Sequence, residues 1–214
     1  LQEQLAGDEL FPGDPEALTA TGYLRQWIYE YNQRDVRTQW DIILTDVTDT
    51  TADVFLGVGM QCARCHDHKY DPILQDDYFR LRAFFEPMLP RDDLVAASEA
   101  EQSSYREKLA AWEAATAKIR DELAALEAKH REAARRSAIE KFPDDIQQMI
   151  LTSPHEREPF ATLLAELAGR QIGFEYSRLD TRIKGDDKEK RLALLKELSA
   201  FDSQKPAPLP TPMA

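Results

Sequence analysis

Tyr105-Arg106-Glu107-Lys108-Leu109-Ala110-Ala111-Trp112 opens the stretch whose periodicity decides the fold. From Tyr105 the seam positions recur as Leu109, Trp112, Thr116, Ile119, Leu123, Leu126 and His130, alternately four and three residues apart. That spacing is a heptad seam along one helix. The positions between are mostly Ala, Glu, Lys and Arg, strong helix formers that leave a solvated face laced with i,i+4 charge pairs. The pattern runs to about Ala138, and Pro143 interrupts the chain shortly after it. Because a lone seam must be covered, a last helix carrying Leu192, Leu195 and Leu198, capped by Asp186 or Asp187, is expected to pack antiparallel on it. Shorter helices are expected at Asp144–Leu151 and Pro159–Ala168, with Gly169 or Gly173 as breaks. The run Lys205-Pro206-Ala207-Pro208-Leu209-Pro210-Thr211-Pro212 reads as an extended, linker-like tail.

Toward the N-terminus the same period recurs. Val36, Trp40, Ile43, Val47, Thr51, Val54 and Val58 fall at steps of four and three, one apolar stripe along a helix. Its threonines lower intrinsic propensity, so packing must hold it. Gly57 and Gly59 bracket its end, either as a helix stop or as a place where backbone closely approaches a flat group. Phe11-Pro12-Gly13-Asp14-Pro15 is a turn, with Asp14 as an N-cap and Pro15 in the first helical position. Tyr23, Leu24, Trp27, Ile28 and Tyr31 are candidate core residues. A further helix is expected from about Leu74 to Phe85, with Tyr78, Leu81, Phe84 and Phe85 on its apolar side.

Composition narrows the function classes. The 214 residues carry 27 basic and 39 acidic side chains, a net charge of −12, which argues against binding nucleic acid or an anionic membrane. No apolar run approaches the roughly 20 residues of a membrane span. The chain starts at Leu1 with no leader pattern, so it reads as a processed product or as a segment of something longer.

The chemistry is concentrated in Cys62-Ala63-Arg64-Cys65-His66-Asp67-His68-Lys69-Tyr70-Asp71-Pro72, which holds both cysteines of the chain. Cys-x-x-Cys-His is the spacing for covalent haem attachment: each thiol adds across one porphyrin vinyl group, and the adjoining imidazole becomes the proximal iron ligand. Cys62, Cys65 and His66 are therefore the candidate haem c site. A thioredoxin-like redox pair, a zinc site, and a plain disulfide or bare structural role stand beside it. A thioredoxin-like redox pair needs a βαβ setting that is absent here. A zinc site needs four N or S ligands, and Cys62, Cys65, His66 and His68 are crowded within seven residues. For the far side of the iron, Met88 in its proline-flanked loop is the candidate, with His130 and His155 also remote enough in sequence. Met60 and His68 lie too near the motif, and a five-coordinate iron is the remaining option.

The segments Glu3-Gln4-Leu5-Ala6-Gly7-Asp8, Ala20-Thr21-Gly22-Tyr23, Phe55-Leu56-Gly57-Val58, Cys62 to Ile73, Asp77-Tyr78-Phe79 and Phe84-Phe85 resemble the planctomycete-type cytochrome c domain family. The resemblance covers residues 1–90 and, more loosely, the helical remainder and its Lys-Pro-Ala-Pro-Leu-Pro segment. It implies c-type haem on Cys62, Cys65 and His66, an extracytoplasmic location, and a chain that is an internal piece of a large exported protein. It implies no reaction. The segment from Trp27 to Arg37 departs from the acidic, glycine-containing stretch expected there.

These readings converge on an all-α protein: a haem-bearing helical unit over residues 1–95, a helical hairpin or bundle over 96–203, and a Pro-rich tail over 204–214. The expected function is one-electron transfer by a c-type cytochrome, with a redox protein or other subunits of a larger complex as partners. Electron transfer is favoured over catalysis, and peroxidase-like chemistry would require an open distal position. The competing reading is an interaction module in which the cysteines hold a metal or a disulfide and the long helix mediates assembly.

Overall fold

The computed structural model describes residues 1–27, 30 and 34–212, and among them there are helices and no strand. The helices are α1 (Gln2–Leu10), α2 (Pro15–Ala20), α3 (Val36–Thr51), α4 (Gln75–Ala83), α5 (Glu99–Ile139), α6 (Asp144–Leu151), α7 (Pro159–Ser177), α8 (Leu179–Arg182) and α9 (Asp186–Ser199). Asp14 caps α2 as the sequence suggests, its carboxylate accepting from the Glu16 and Ala17 N–H groups with Pro15 in the first turn. Ser98 and Glu101 form a reciprocal capping box at the start of α5. Ile28 and Tyr31, and part of the segment from Trp27 to Arg37, lie outside the described residues.

The heptad seam is covered from within the chain. Lys129 and His130 meet Asp187, Glu127 meets Arg191, and the Trp112 ring lies under the Lys205 ammonium at 5.0 Å. Partners on α5 thus fall in number as those on α9 and beyond rise, so α9 runs antiparallel to α5. Neither Asp186 nor Asp187 caps α9: Gly185 precedes it without a side-chain cap, and Asp187 is spent on α5 instead. Leu194, Leu195 and Leu198 are half-buried, whereas Leu192, expected in the seam, is exposed. The tail is extended but docked, since the Ala96 N–H donates to the Pro210 carbonyl at 2.9 Å.

Three further expectations need correction. The α3 stripe buries Val36, Trp40, Ile43, Val47 and Thr51, but Val54 and Val58 are exposed. The helix widens to a π turn over Ala52–Leu56, and a wider turn rotates everything after it off the core-facing stripe. Phe84 is exposed rather than apolar-side, because α4 ends at Ala83 and the chain turns there. Helix α7 does not break at Gly169 or Gly173. It continues to Ser177 because Gln171, Ile172 and Glu175 keep its face buried past both glycines.

One main core joins the sequence halves. Trp40, Ile43, Leu44 and Val47 of α3, with Phe85, pack against Ile139, Phe142, Ile146 and Ile150, and against Leu163, Leu164 and Leu167 of α7. A smaller second cluster holds Ala52, Met60, Ala63 and Tyr78, with Ile73 and Leu81 beside it. Helices α1 and α2 touch so closely at Gly7 that a Cβ there would sit 2.4 Å from the Ala17 carbonyl oxygen. Gly7→Ala therefore forces backbone apart, with an expected loss of about 1–3 kcal/mol in urea unfolding. An unchanged midpoint would mean the α1–α2 contact is not held.

Candidate haem attachment site

The site is a short turn laid over the second core cluster. After the π turn, Gly57 adopts a left-handed backbone (φ 66°) and the Val58 N–H closes on the Ala52 carbonyl at 3.2 Å, so the glycine is a helix stop. Asp53 then accepts from the Gln61 side-chain amide at 2.7 Å. Met60 is buried, and the chain makes one 3₁₀ turn over Gln61–Arg64. The two residues between the cysteines point opposite ways. Ala63 is fully buried with Met60 and Tyr78, whereas Arg64 is exposed and its carbonyl accepts from the Gln75 side-chain amide at 3.1 Å. An apolar anchor under the turn thus leaves Cys62, Cys65 and His66 all exposed on its outer side.

Both thiols are free. The His66 Nδ1 lies 2.8 Å from the Asp67 backbone carbonyl, which can only accept. Nδ1 therefore carries the ring proton, and the Nε2 lone pair is left bare. The loop after the motif is fixed by its own bonds. The Asp67 carboxylate accepts from the Gln75 N–H at 2.9 Å, and the His68 N–H donates to the Ile73 carbonyl at 2.8 Å. His68 Nδ1 accepts from the Asp71 N–H at 2.9 Å, which commits that nitrogen to the loop.

Behind the turn lies a pair that pattern reading did not single out. Tyr78 is fully buried, and burial together with the neighbouring Asp49 pushes its phenol upward. Burial likewise pushes the Asp49 carboxyl above its ordinary range, outweighing the opposing pull of Tyr78 and Arg64. The Tyr78 hydroxyl and Asp49 Oδ1 face this shared interior without a fully formed hydrogen bond.

Donor chemistry fits a covalent haem here: two free exposed thiols at the required spacing and an adjacent imidazole of fixed tautomer. Among the described residues no three His, Cys, Asp or Glu side chains converge as metal ligands, and the two cysteines form no disulfide. Of the other candidates, Met88 is half-buried against the main core and lines an apolar cavity of about 810 Å³ whose walls include none of Cys62, Cys65 and His66. His130 is engaged by Asp187 at 3.1 Å, and His155 is exposed in the Pro154–Glu156 turn.

No curated protein and no solved structure matches the chain. A family model described as PSCyt2, protein of unknown function (DUF1549), matches residues 1–89. That span coincides with the sequence resemblance and ends before α5, so the N-terminal part of the chain is similar to a domain family of unknown function.

Proposed function

We propose that Cys62 and Cys65 carry a c-type haem through two thioethers, with His66 as the proximal ligand, and that the protein transfers single electrons. The observation that carries this reading is the exposed Cys62–Cys65–His66 ledge with His66 Nδ1 bonded to the Asp67 carbonyl. When bound, the iron of such a group supplies one-electron redox chemistry. The chain's own part is to hold and tune. Ala63, Met60 and Tyr78 fix the turn from below, and Gln75 and Asp67 fix the adjoining loop. The carbonyl bond at His66 Nδ1 raises the basicity of the coordinating nitrogen and sets the ring plane. Exposed apolar side chains flank the motif in sequence, Val54, Leu56 and Val58 before it and Leu74 and Phe79 after it, and an attached macrocycle would have apolar surface to cover.

Thioether maturation implies an extracytoplasmic location. The partner is a redox protein or another subunit of a larger assembly. No helix among the described residues is long and apolar enough to cross a membrane. The net charge of −12 disfavours nucleic acid. The rival reading, assembly through the long helix, loses its main support because α9 and the tail already cover the α5 seam.

The test is intact-mass analysis of protein exported in cells with cytochrome c maturation. Wild type is expected to carry the mass of one haem, Cys65→Ser to lose stable attachment, and Cys62→Ser/Cys65→Ser to carry none. A full haem complement on the double variant after denaturation would overturn the thioether assignment.

A further inference from the structure

We propose that the cavity of about 810 Å³ between α1, the Thr21–Arg25 turn, the end of α3 and the Phe84–Leu94 segment binds one uncharged small molecule with an apolar body. The proposal is independent of the haem reading, since Cys62, Cys65 and His66 do not line this space.

Size and lining carry the argument first. Pockets of about 300–1,000 Å³, apolar with a few polar groups, are the ones that bury most of a small ligand. The floor is built by Leu5, Leu24, Leu81 and Met88, each packed on the main core, so the space is bounded by fixed structure. The rim gathers Leu1, Leu56, Phe84 and Leu89, all exposed, with Phe84 at 79% and Leu56 at 58%. Single exposed apolar residues are ordinary, but four around one opening form a patch of the kind that marks a binding site.

The charges select the occupant. Asp8, Glu9, Arg25 and Arg91 line the cavity. Both guanidinium groups are committed elsewhere: Arg25 to Asp92 at 2.8 Å, and Arg91 to the Asp93 carboxylate by two bonds of 2.6 Å. An anion would therefore meet two carboxylates beside guanidinium groups that are already paired. A cation would gain little from Asp8 and Glu9, which are exposed and screened by solvent. An uncharged body avoids both costs. Thr51, on the wall, shares a hydrogen bond of 3.1 Å with the Tyr23 hydroxyl, and this pair is the polar point that can orient a ligand hydroxyl or carbonyl.

The experiment titrates the 214-residue chain, and its Cys62→Ser/Cys65→Ser form, with the uncharged fluorophore N-phenyl-1-naphthylamine. Saturable one-to-one binding is expected in both forms, with the anionic 8-anilinonaphthalene-1-sulfonate binding at least tenfold more weakly. Ala6→Phe, which fills the cavity, is expected to weaken the neutral probe at least tenfold. Leu56→Lys, on the exposed rim where folding is not at stake, is expected to weaken it several-fold, and Ala133→Phe on the outer face of α5 to leave it unchanged. Far-UV circular dichroism of each variant checks the fold. No saturable binding, undiminished binding in both cavity variants, or preference for the anionic probe would overturn the proposal. So would loss of binding in the haem-loaded protein with retention in the serine form, because the cavity would then belong to the macrocycle.

Discussion

Cut after residue 95, the protein is expected to lose cooperative folding. The reason lies in how α3 is covered. Its buried face of Val36, Trp40, Ile43, Leu44 and Val47, together with Phe85, packs on Ile139, Phe142, Ile146 and α7, all beyond the cut. Fully burying one large apolar side chain is worth about 1.5–3 kcal/mol. Exposing half a dozen of them removes an amount comparable to the whole stability of a typical domain, about 5–15 kcal/mol. Residues 1–95 should therefore show weak helical circular dichroism, a broad thermal response and poorly dispersed amide proton signals. A sharp sigmoidal melt from this fragment would show that the second core cluster and α1–α2 suffice on their own.

Glu127→Ala is expected to be the most damaging single substitution away from the main core. Glu127 is 3% exposed and bonds Arg131 on its own helix at 2.7 and 2.9 Å and Arg191 on α9 at 2.6 Å. Removing one member of a buried ionic cluster costs about 3–5 kcal/mol when its partners are left uncompensated, and here Arg191 keeps its bond to the Asp180 carboxylate. Arg131 is partly solvated, which places the expected loss near the lower end. The double change Glu127→Leu/Arg191→Leu should cost less than the two single losses added together. Additive losses would contradict the cluster.

The same residue sets part of the acid limb. Burial alone would push the Glu127 carboxyl up, but the bonds from Arg191 and Arg131 outweigh it and hold the group below its ordinary range. A depressed folded value means the contribution is fully present above the unfolded value of about 4.3 and fades as pH falls through the folded value. Wild type should therefore lose stability below about pH 4, and Glu127→Ala should show a shallower loss over that interval. Parallel acid limbs for the two proteins would argue that Glu127 titrates normally.

Much of this architecture was legible in the residues, and the misses have physical causes. Periodicity located α3, α5, α6 and the antiparallel α9, and the Asp14-Pro15 pair located the start of α2. Periodicity names an apolar face without naming what covers it, so the core shared between α3 and α7 could not be read from either stripe alone. A strict heptad also drifts from a straight helix of 3.6 residues per turn, and burial along α5 passes from the Leu126 line to Glu127. A buried acid was hidden by that drift among surface glutamates. Gly169 and Gly173 read as breaks because their propensity is poor, and tertiary burial of Ile172 and Glu175 overrode it. At the motif, the cysteine spacing was visible at once. The inward Ala63, the His66 tautomer and the Asp49–Tyr78 pair depend on how the turn sits on α4, which no local pattern encodes.

The most direct test of the central claim is a reduced-minus-oxidised pyridine haemochrome spectrum on protein exported with cytochrome c maturation, recorded before and after acid–acetone extraction. The account predicts a c-type spectrum that stays with the polypeptide through extraction, at one haem per chain. A folded, colourless protein from the same cells would contradict it.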